Sequence, residues 1–307
     1  MQHKLILLFF VLAGQTLWAQ QLPIFTQYQE AYALINPAAI SNNYLKYDAP
    51  MTTNLMYRYQ WVGLDDAPRT LMASHEYLNE DYNILFGGSI THDQTGPTGF
   101  TGLMGRFAYL LQLSDDHYLS AGLSAGVVQY RVDGSELDFA EQDEVESAGL
   151  TSYQPDFALG AVWYYMPSRG NRYYAGVSVP QTFGFNLDFR TDENDFSIQR
   201  VRHYYAFGGV QFALSEGSWI EADVWLKYVE DIPFHFDVNF RYEYQESFWV
   251  GVGGSMAGAS HAEAGVIWDI DGASSMRIGY GYDHFFTDYS PAFGSAHEIK
   301  IAYVWPY

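Results

Sequence analysis

Between positions 234 and 244 the chain alternates without a break. Phe234, Phe236, Val238, Phe240, Tyr242 and Tyr244 form one set, and His235, Asp237, Asn239, Arg241 and Glu243 form the other. In a β-strand successive side chains point to opposite faces, so one face here is wholly apolar or aromatic and the other wholly polar. A helix would scatter both sets around its circumference. Two kinds of fold use such a strand. A soluble sandwich turns the apolar face inward, whereas a membrane barrel turns it to lipid and the polar face to the lumen. This strand by itself is compatible with either.

The same alternation recurs. Ile220, Ala222, Val224, Leu226 and Tyr228 oppose Glu221, Asp223 and Lys227, and Ala262, Ala264, Val266, Trp268 and Ile270 oppose Glu263 and Asp269. Met276, Ile278, Tyr280 and Tyr282 oppose Arg277, Gly279, Gly281 and Asp283, while Ile299, Ile301, Tyr303 and Trp305 oppose Glu298 and Lys300. Unpaired charges are costly in a dry interior, but a wet or densely paired lumen accommodates them. Strand-like runs are predicted at 51–60, 69–78, 82–92, 101–113, 117–131, 154–166, 171–181, 202–214, 217–229, 232–244, 247–257, 261–270, 274–285 and 296–305. That makes about fourteen, an even number of the kind single-chain outer-membrane barrels use.

The connections carry the strongest signal. Those after even-numbered strands are short and rich in turn residues, such as Asn79-Glu80-Asp81, Ser114-Asp115-Asp116 and Asp271-Gly272-Ala273. Those after odd-numbered strands include the long ones, 61–68, 93–99, 132–153, 181–201 and 286–295, although the connections near 230–231 and 258–259 are short. Short periplasmic turns and long extracellular loops are the bacterial barrel pattern, and it places both termini in the periplasm. The expectation is an all-β transmembrane antiparallel β-barrel of about 14 strands over residues 51–307.

The first residues read as an export signal over 1–19. Lys4 supplies the positive start, 5–14 the apolar core, and Ala19 before Gln20 the cleavage point. An apolar run of about 10 residues is too short to span a bilayer, and no later run approaches the ~20 a transmembrane helix needs. Residues 20–50, with Asn36-Pro37 and a run of small residues, are expected outside the strands, as a plug in the lumen or a segment at its periplasmic mouth. With 15 basic and 36 acidic residues the formal charge is −21, which repels phosphate and excludes nucleic acid as a partner. No cysteine is present, so thiol catalysis and disulfides are excluded.

Several stretches resemble the PorP/SprF family of type IX secretion system outer-membrane proteins. Phe25-Thr26-Gln27-Tyr28 with Ile35-Asn36-Pro37-Ala38-Ala39 looks like its opening "FSQY…NPA" signature. The stretch Gln60-Trp61-Val62-Gly63-Leu64-Asp65-Asp66-Ala67-Pro68-Arg69-Thr70 is similar to its "QWVGxxGAPxT" element, with Asp66 where glycine is usual. Asp93-Gln94-Thr95-Gly96 matches a following "DxxG" block, and Gly279-Tyr280-Gly281-Tyr282-Asp283 resembles a closing one. The resemblance implies a barrel shaped like long-chain fatty-acid transporters and a role in protein secretion. It implies contact with the periplasmic ring and peptidoglycan-binding components, or with a secreted adhesin that the barrel helps to export or hold at the surface, including in gliding. It implies no enzyme and no cofactor. The alternative is an outer-membrane channel for small hydrophobic compounds.

Two segments are candidate partner-binding sites. The first is the loop holding Trp61, Val62, Asp65, Asp66, Pro68 and Arg69, which could instead fold into the barrel mouth and lock its shape. The second is the acidic loop 132–153, with Asp138, Glu141, Asp143 and Glu144 among its carboxylates. Carboxylates so clustered invite Ca²⁺, but the spacing and central glycine of an EF-hand are missing, and a solvated acidic loop or a cargo contact fits better. Asp269-Ile270-Asp271-Gly272 is expected to make a hairpin turn rather than a calcium loop. His284 beside Asp283, with Asp288 nearby, lacks a serine in a supporting motif, and adjacent strand residues face opposite ways. Outer-membrane lipid is the remaining expected partner.

Overall fold

The computed structural model describes residues 25–133, 150–182, 186–190, 195–199, 201–230, 232–256, 258–286 and 294–305. The strands are β1 (Met51–Tyr59), β2 (Arg69–Asn79), β3 (Ile84–Thr95), β4 (Thr98–Gln112), β5 (His117–Val132), β6 (Leu150–Tyr165) and β7 (Arg172–Val179). A hairpin of β8 (Asn186–Arg190) and β9 (Asp195–Gln199) follows. The series closes with β10 (His203–Ser215), β11 (Ser218–Val229), β12 (His235–Tyr244), β13 (Phe248–Ser255), β14 (Ala259–Asp269), β15 (Ser275–Phe285) and β16 (Ser295–Trp305). Fourteen of them, all but β8 and β9, form one closed antiparallel barrel. The seam is β1 on β16, in register from Met51↔Trp305 to Tyr59↔His297. Closure leaves no strand of the fourteen with an unpaired side along its whole length, which is what a sheet in hydrocarbon requires.

The direction of the side chains separates the two readings of the alternation. On β12, Phe240 is 55% exposed and Asn239 0%. Phe236 and Tyr244 are also exposed, while Asp237, Arg241 and Glu243 are buried. The same parity holds on β15 and β16, where Ile278, Tyr280, Ile299 and Ile301 point out and Arg277, Asp283, Glu298 and Lys300 point in. The apolar set thus covers the outside, so the sandwich reading is excluded and the outer belt faces lipid.

Six short turns occupy the end where β1 begins and β16 finishes. One is 270–274, where Gly272 N donates to Asp269 Oδ1 at 2.6 Å and Asp271 Oδ1 accepts from Ser274 N at 2.6 Å. This turn end is opposite the loop end. Two expectations for the loop end need correction. Residues 93–99 are not a long loop: β3 and β4 pair to Thr95↔Thr98, and Gly96, at φ +51°, turns the chain with Pro97. The polar residues that suggested a loop belong to strands running on past the apolar belt. The stretch 181–201 is not strand-free either, because β8 and β9 pair there from Asn186↔Gln199 to Arg190↔Asp195. β6 also starts earlier than expected, at Leu150.

Residues 25–50, the described residues before β1, lie inside the barrel. A 3₁₀ turn at Tyr28–Glu30, the short helix α1 (Tyr32–Ile35) and α2 (Asn42–Tyr47) succeed one another. Ser41 caps α2, its Oγ accepting from Tyr44 N at 3.2 Å. Tyr32 stacks on Phe207 at 4.8 Å between ring centroids, and Tyr28 packs on Trp225 at 5.3 Å. Those rings join Ile35, Ala38, Ile40 and Leu45 in one buried cluster with the wall residues Val162, Tyr164 and Tyr205. The chain therefore builds its hydrophobic core in the lumen, around its own N-terminal segment. Among the described residues no helix is long and apolar enough to cross a membrane, and the crossing is made by strands.

Candidate functional site

The inward polar faces of the strands leave carboxylates and cations in a space where each must be paired. The N-terminal segment supplies part of that pairing. Glu30 Oε1 lies 2.6 Å from Arg241 Nη1 and Glu30 Oε2 lies 2.6 Å from Lys300 Nζ. Arg241 also holds Glu263 by two bonds, at 2.7 and 2.9 Å. Lys46 Nζ reaches Glu221 at 2.9 Å and Glu243 at 3.4 Å, and Glu243 is held by Arg277 at 2.8 Å. Asp48 faces Arg172 at 3.6 Å. All three charged residues between positions 25 and 50 thus meet an opposite charge on the wall. Burial alone would raise the Glu30 carboxyl, but Lys300 and then Arg241 outweigh it and hold Glu30 well below the usual carboxylate range.

Neutral contacts complete the closure. Thr26 N and Gln27 N donate to the Glu298 carboxylate at 2.6 and 3.0 Å, and Tyr28 and Gln29 both donate to Asp223. Asn36-Pro37-Ala38 lies flat against the wall at two glycines. A Cβ at Gly160 would stand 2.0 Å from Asn36 Oδ1, and one at Gly122 would stand 2.7 Å from Ala38 Cα. The Asn36 amide donates to the carbonyls of Val177, at 2.9 Å, and Ala161, at 3.3 Å. The first signature singled out in the sequence is therefore the corner where the segment meets bare wall backbone.

The second signature is a tethered loop at the loop end. Val62 N donates to Ser295 O at 3.0 Å, Gly96 N donates to Asp66 O at 3.0 Å, and Gln60 N donates to Pro68 O at 2.9 Å. Ala67 and Pro68 are buried and Trp61 is half-buried, while Val62, Asp65, Asp66 and Arg69 are exposed. Arg69 lies over the Tyr59 ring, 5.2 Å from its centroid. Asp66 adopts φ +57° and Trp61 φ +53°, a region that glycine enters without steric cost. The loop is bolted to the mouth, as the second of the two expectations for it has it, and its side chains at Val62, Asp65, Asp66 and Arg69 stand open outward.

Asp138, Glu141, Asp143 and Glu144 lie outside the described residues, as do Ala19 and Gln20 at the expected cleavage point and Asp288. Asp283 points inward to Arg58 at 2.6 Å, whereas His284 on the same strand is exposed, so the two do not act together. Glu30, Lys46 and Asp48, and which wall charge each of them meets, escaped sequence reasoning. Their only trace was three charges in an otherwise uncharged stretch, followed by single charges on the polar faces of strands.

A search of curated protein sequences finds no match. Among solved structures, the toluene transporter TodX of Pseudomonas putida aligns with TM-score 0.56 and 8% identity, covering 95% of this chain and 100% of that one. The monoaromatic hydrocarbon channel CymD aligns with TM-score 0.53 and 13% identity, covering 93% and 94%. At such identities the likeness speaks for the fold alone, an outer-membrane barrel. The family model for the type IX secretion system membrane protein PorP/SprF matches residues 17–303, nearly the whole chain, including the tethered loop and the Asn36-Pro37-Ala38 corner. This outer-membrane barrel belongs to the PorP/SprF family of type IX secretion system membrane proteins.

Proposed function

We propose that this barrel works by contact rather than by passage or catalysis. It binds components of the type IX machinery, the periplasmic ring and peptidoglycan-binding proteins, and it helps to export a secreted adhesin or hold it at the cell surface, with gliding as one outlet. The observation that carries this reading is the filled lumen. A segment tied to the wall by Glu30, Lys46 and Asp48 occupies the space that a solute would need. What remains for function is the outer rim, where Val62, Asp65, Asp66 and Arg69 stand on a tethered loop. The acidic loop 132–153 is the second contact we assign to cargo. Comparative proteomics of culture supernatant and cell surface after gene deletion tests the reading. Loss of one or a few large secreted proteins marks a dedicated partner, and loss of the whole exported set marks a core component. An unchanged exported set sinks it.

A second reading, a channel for small hydrophobic compounds, is favoured by a cavity of about 90 Å³ between the N-terminal segment and the wall at β3–β6, β10 and β11, lined by Leu34, Phe100, Met104, Val128 and Trp225. Uptake of a monoaromatic compound that is lost on deletion, with secretion intact, would select this reading.

A further inference from the structure

The lipid-facing side of the barrel carries a hollow that neither the N-terminal segment nor the tethered loop explains. It is a groove of about 550 Å³ over β7, bounded by Leu159 on β6 and by Tyr204, Tyr228 and Phe234 on the far side, with Val177 and Val179 along its length. Its origin lies in the strand order. β7 has eight residues and stops before Pro180, which has no N–H to continue a ladder. Pairing with β10 therefore ends at Tyr205↔Ser178, and Tyr204 stands beyond it with no β7 partner. Across the groove at one level, Ala161 pairs with Val177 and Val177 with Ala206, so the space between the large side chains is not filled from below.

The floor is held from the other side. The Asn36 amide bonds the carbonyls of Ala161 and Val177, and Ser178 Oγ donates to Ile35 O at 2.6 Å. The wall behind the groove is thus one of the places where the N-terminal segment is fixed to the barrel, and the hollow is pre-formed.

We propose that this groove is a fixed binding site for one acyl chain of a membrane lipid. Its position chooses the occupant. The groove lies within the exposed apolar belt, where Leu159, Val177, Tyr204, Tyr228 and Phe234 are each between 42 and 60% exposed, so hydrocarbon is the medium that meets it. Elsewhere on the convex wall a lipid tail meets single outward side chains, but here Leu159, Val177, Tyr204, Tyr228 and Phe234 stand around one hollow, and dispersion contacts add over its length. Tyr204 and Tyr228 are register partners with ring centroids 6.1 Å apart at the loop end of the groove. Tyrosine prefers the boundary between hydrocarbon and headgroups, so the headgroup sits by these rings and the tail runs along β7 toward the turn end.

The test uses the full chain in phosphatidylethanolamine–phosphatidylglycerol vesicles containing a phospholipid with a diazirine near the end of one acyl chain. After irradiation, labelled peptides are mapped by mass spectrometry. Labelling of β7 and the facing positions of β6 and β10 should exceed that at convex belt positions such as Leu103 and Val252 by about tenfold, equivalent to about 1.4 kcal/mol of extra contact. Ala206→Trp fills the groove and should bring that labelling down to the belt level, while Val252→Trp should leave it unchanged. Ala161→Leu serves the same purpose if Ala206→Trp fails to fold, judged by heat-modifiable mobility. Uniform labelling around the belt, or groove labelling indifferent to the filled variants, overturns the proposal. Either result leaves the partner-binding reading untouched, because that rests on the rim and the lumen.

Discussion

Glu30→Gln is the most informative single change, because it removes one charge at the centre of the lumen and keeps the shape of the side chain. Glu30 contacts two cations, Arg241 and Lys300, each at 2.6 Å. Arg241 keeps both bonds to Glu263 when Glu30 is neutral. Lys300 is fully buried and loses its carboxylate partner. Breaking one side of a buried ion pair costs about 3 to 5 kcal/mol, and the retained Glu263 bonds place this case near the lower figure. Displacement of the N-terminal segment should then rise by about two orders of magnitude. The chain has no native cysteine, so Ala31→Cys, at a site 2% exposed beside Met56 and Met72, reports displacement without background. The labelling rate of this reporter thiol by a small maleimide follows the open population when reclosing is fast. The rate should climb roughly 100-fold in Glu30→Gln. It should return most of the way in Glu30→Met with Lys300→Met, since an apolar replacement of both partners leaves no stranded charge. A rate unchanged by Glu30→Gln, or a double variant as open as the single one, would refute the latch.

Three further outcomes follow from the same geometry. Gly160→Ala should push Asn36 off the carbonyls of Ala161 and Val177, costing about 1 to 3 kcal/mol and raising maleimide labelling of the Ala31→Cys reporter, whereas Gly88→Ala, whose nearest contact would be 3.4 Å, should leave it within about twofold. Asp66→Val should lower the urea midpoint of the folded barrel by the equivalent of about 1 to 2 kcal/mol and Asp66→Gly should hold or raise it, because Asp66 sits at φ +57°; equal midpoints would contradict this. The depressed Glu30 carboxyl contributes stability above its unfolded value of ~4.3 and loses it only as pH falls through its lower folded value. Reactivity of the Ala31→Cys thiol toward dithiodipyridine should therefore stay flat between about pH 8 and 5 and rise only in stronger acid; a rise between about pH 7 and 5 would point to another group.

How far each of these features could be read in advance depended on how local its cause is. The alternation at 234–244 needs no partner to be visible, and Phe240 and Asn239 fall on the faces it assigns. The turn at Asp269-Ile270-Asp271-Gly272 is equally local, since Asp269 and Asp271 accept from backbone N–H groups within three residues. Asp93, Gln94, Thr95 and Thr98 misled for a physical reason: strands that outrun the apolar belt carry polar residues on both faces, so polarity there does not signal a loop. The tethered loop was legible as a motif, but its bonds to Ser295 and Gly96 were not.

The primary structure by itself determined the parity of the alternating strands and the pattern of short and long connections, because both depend on residues a few positions apart. It also determined that charges would point into the lumen. Which charge meets which was decided only when the barrel closed. Glu30 finds Lys300 and Arg241, and Lys46 finds Glu221 and Glu243, because closure brings β11, β12 and β16 around one short segment. The same closure, with β7 cut short at Pro180, opened the groove on the lipid side. Strand periodicity is a property of the local backbone, whereas these contacts depend on the stagger and circumference of the whole sheet.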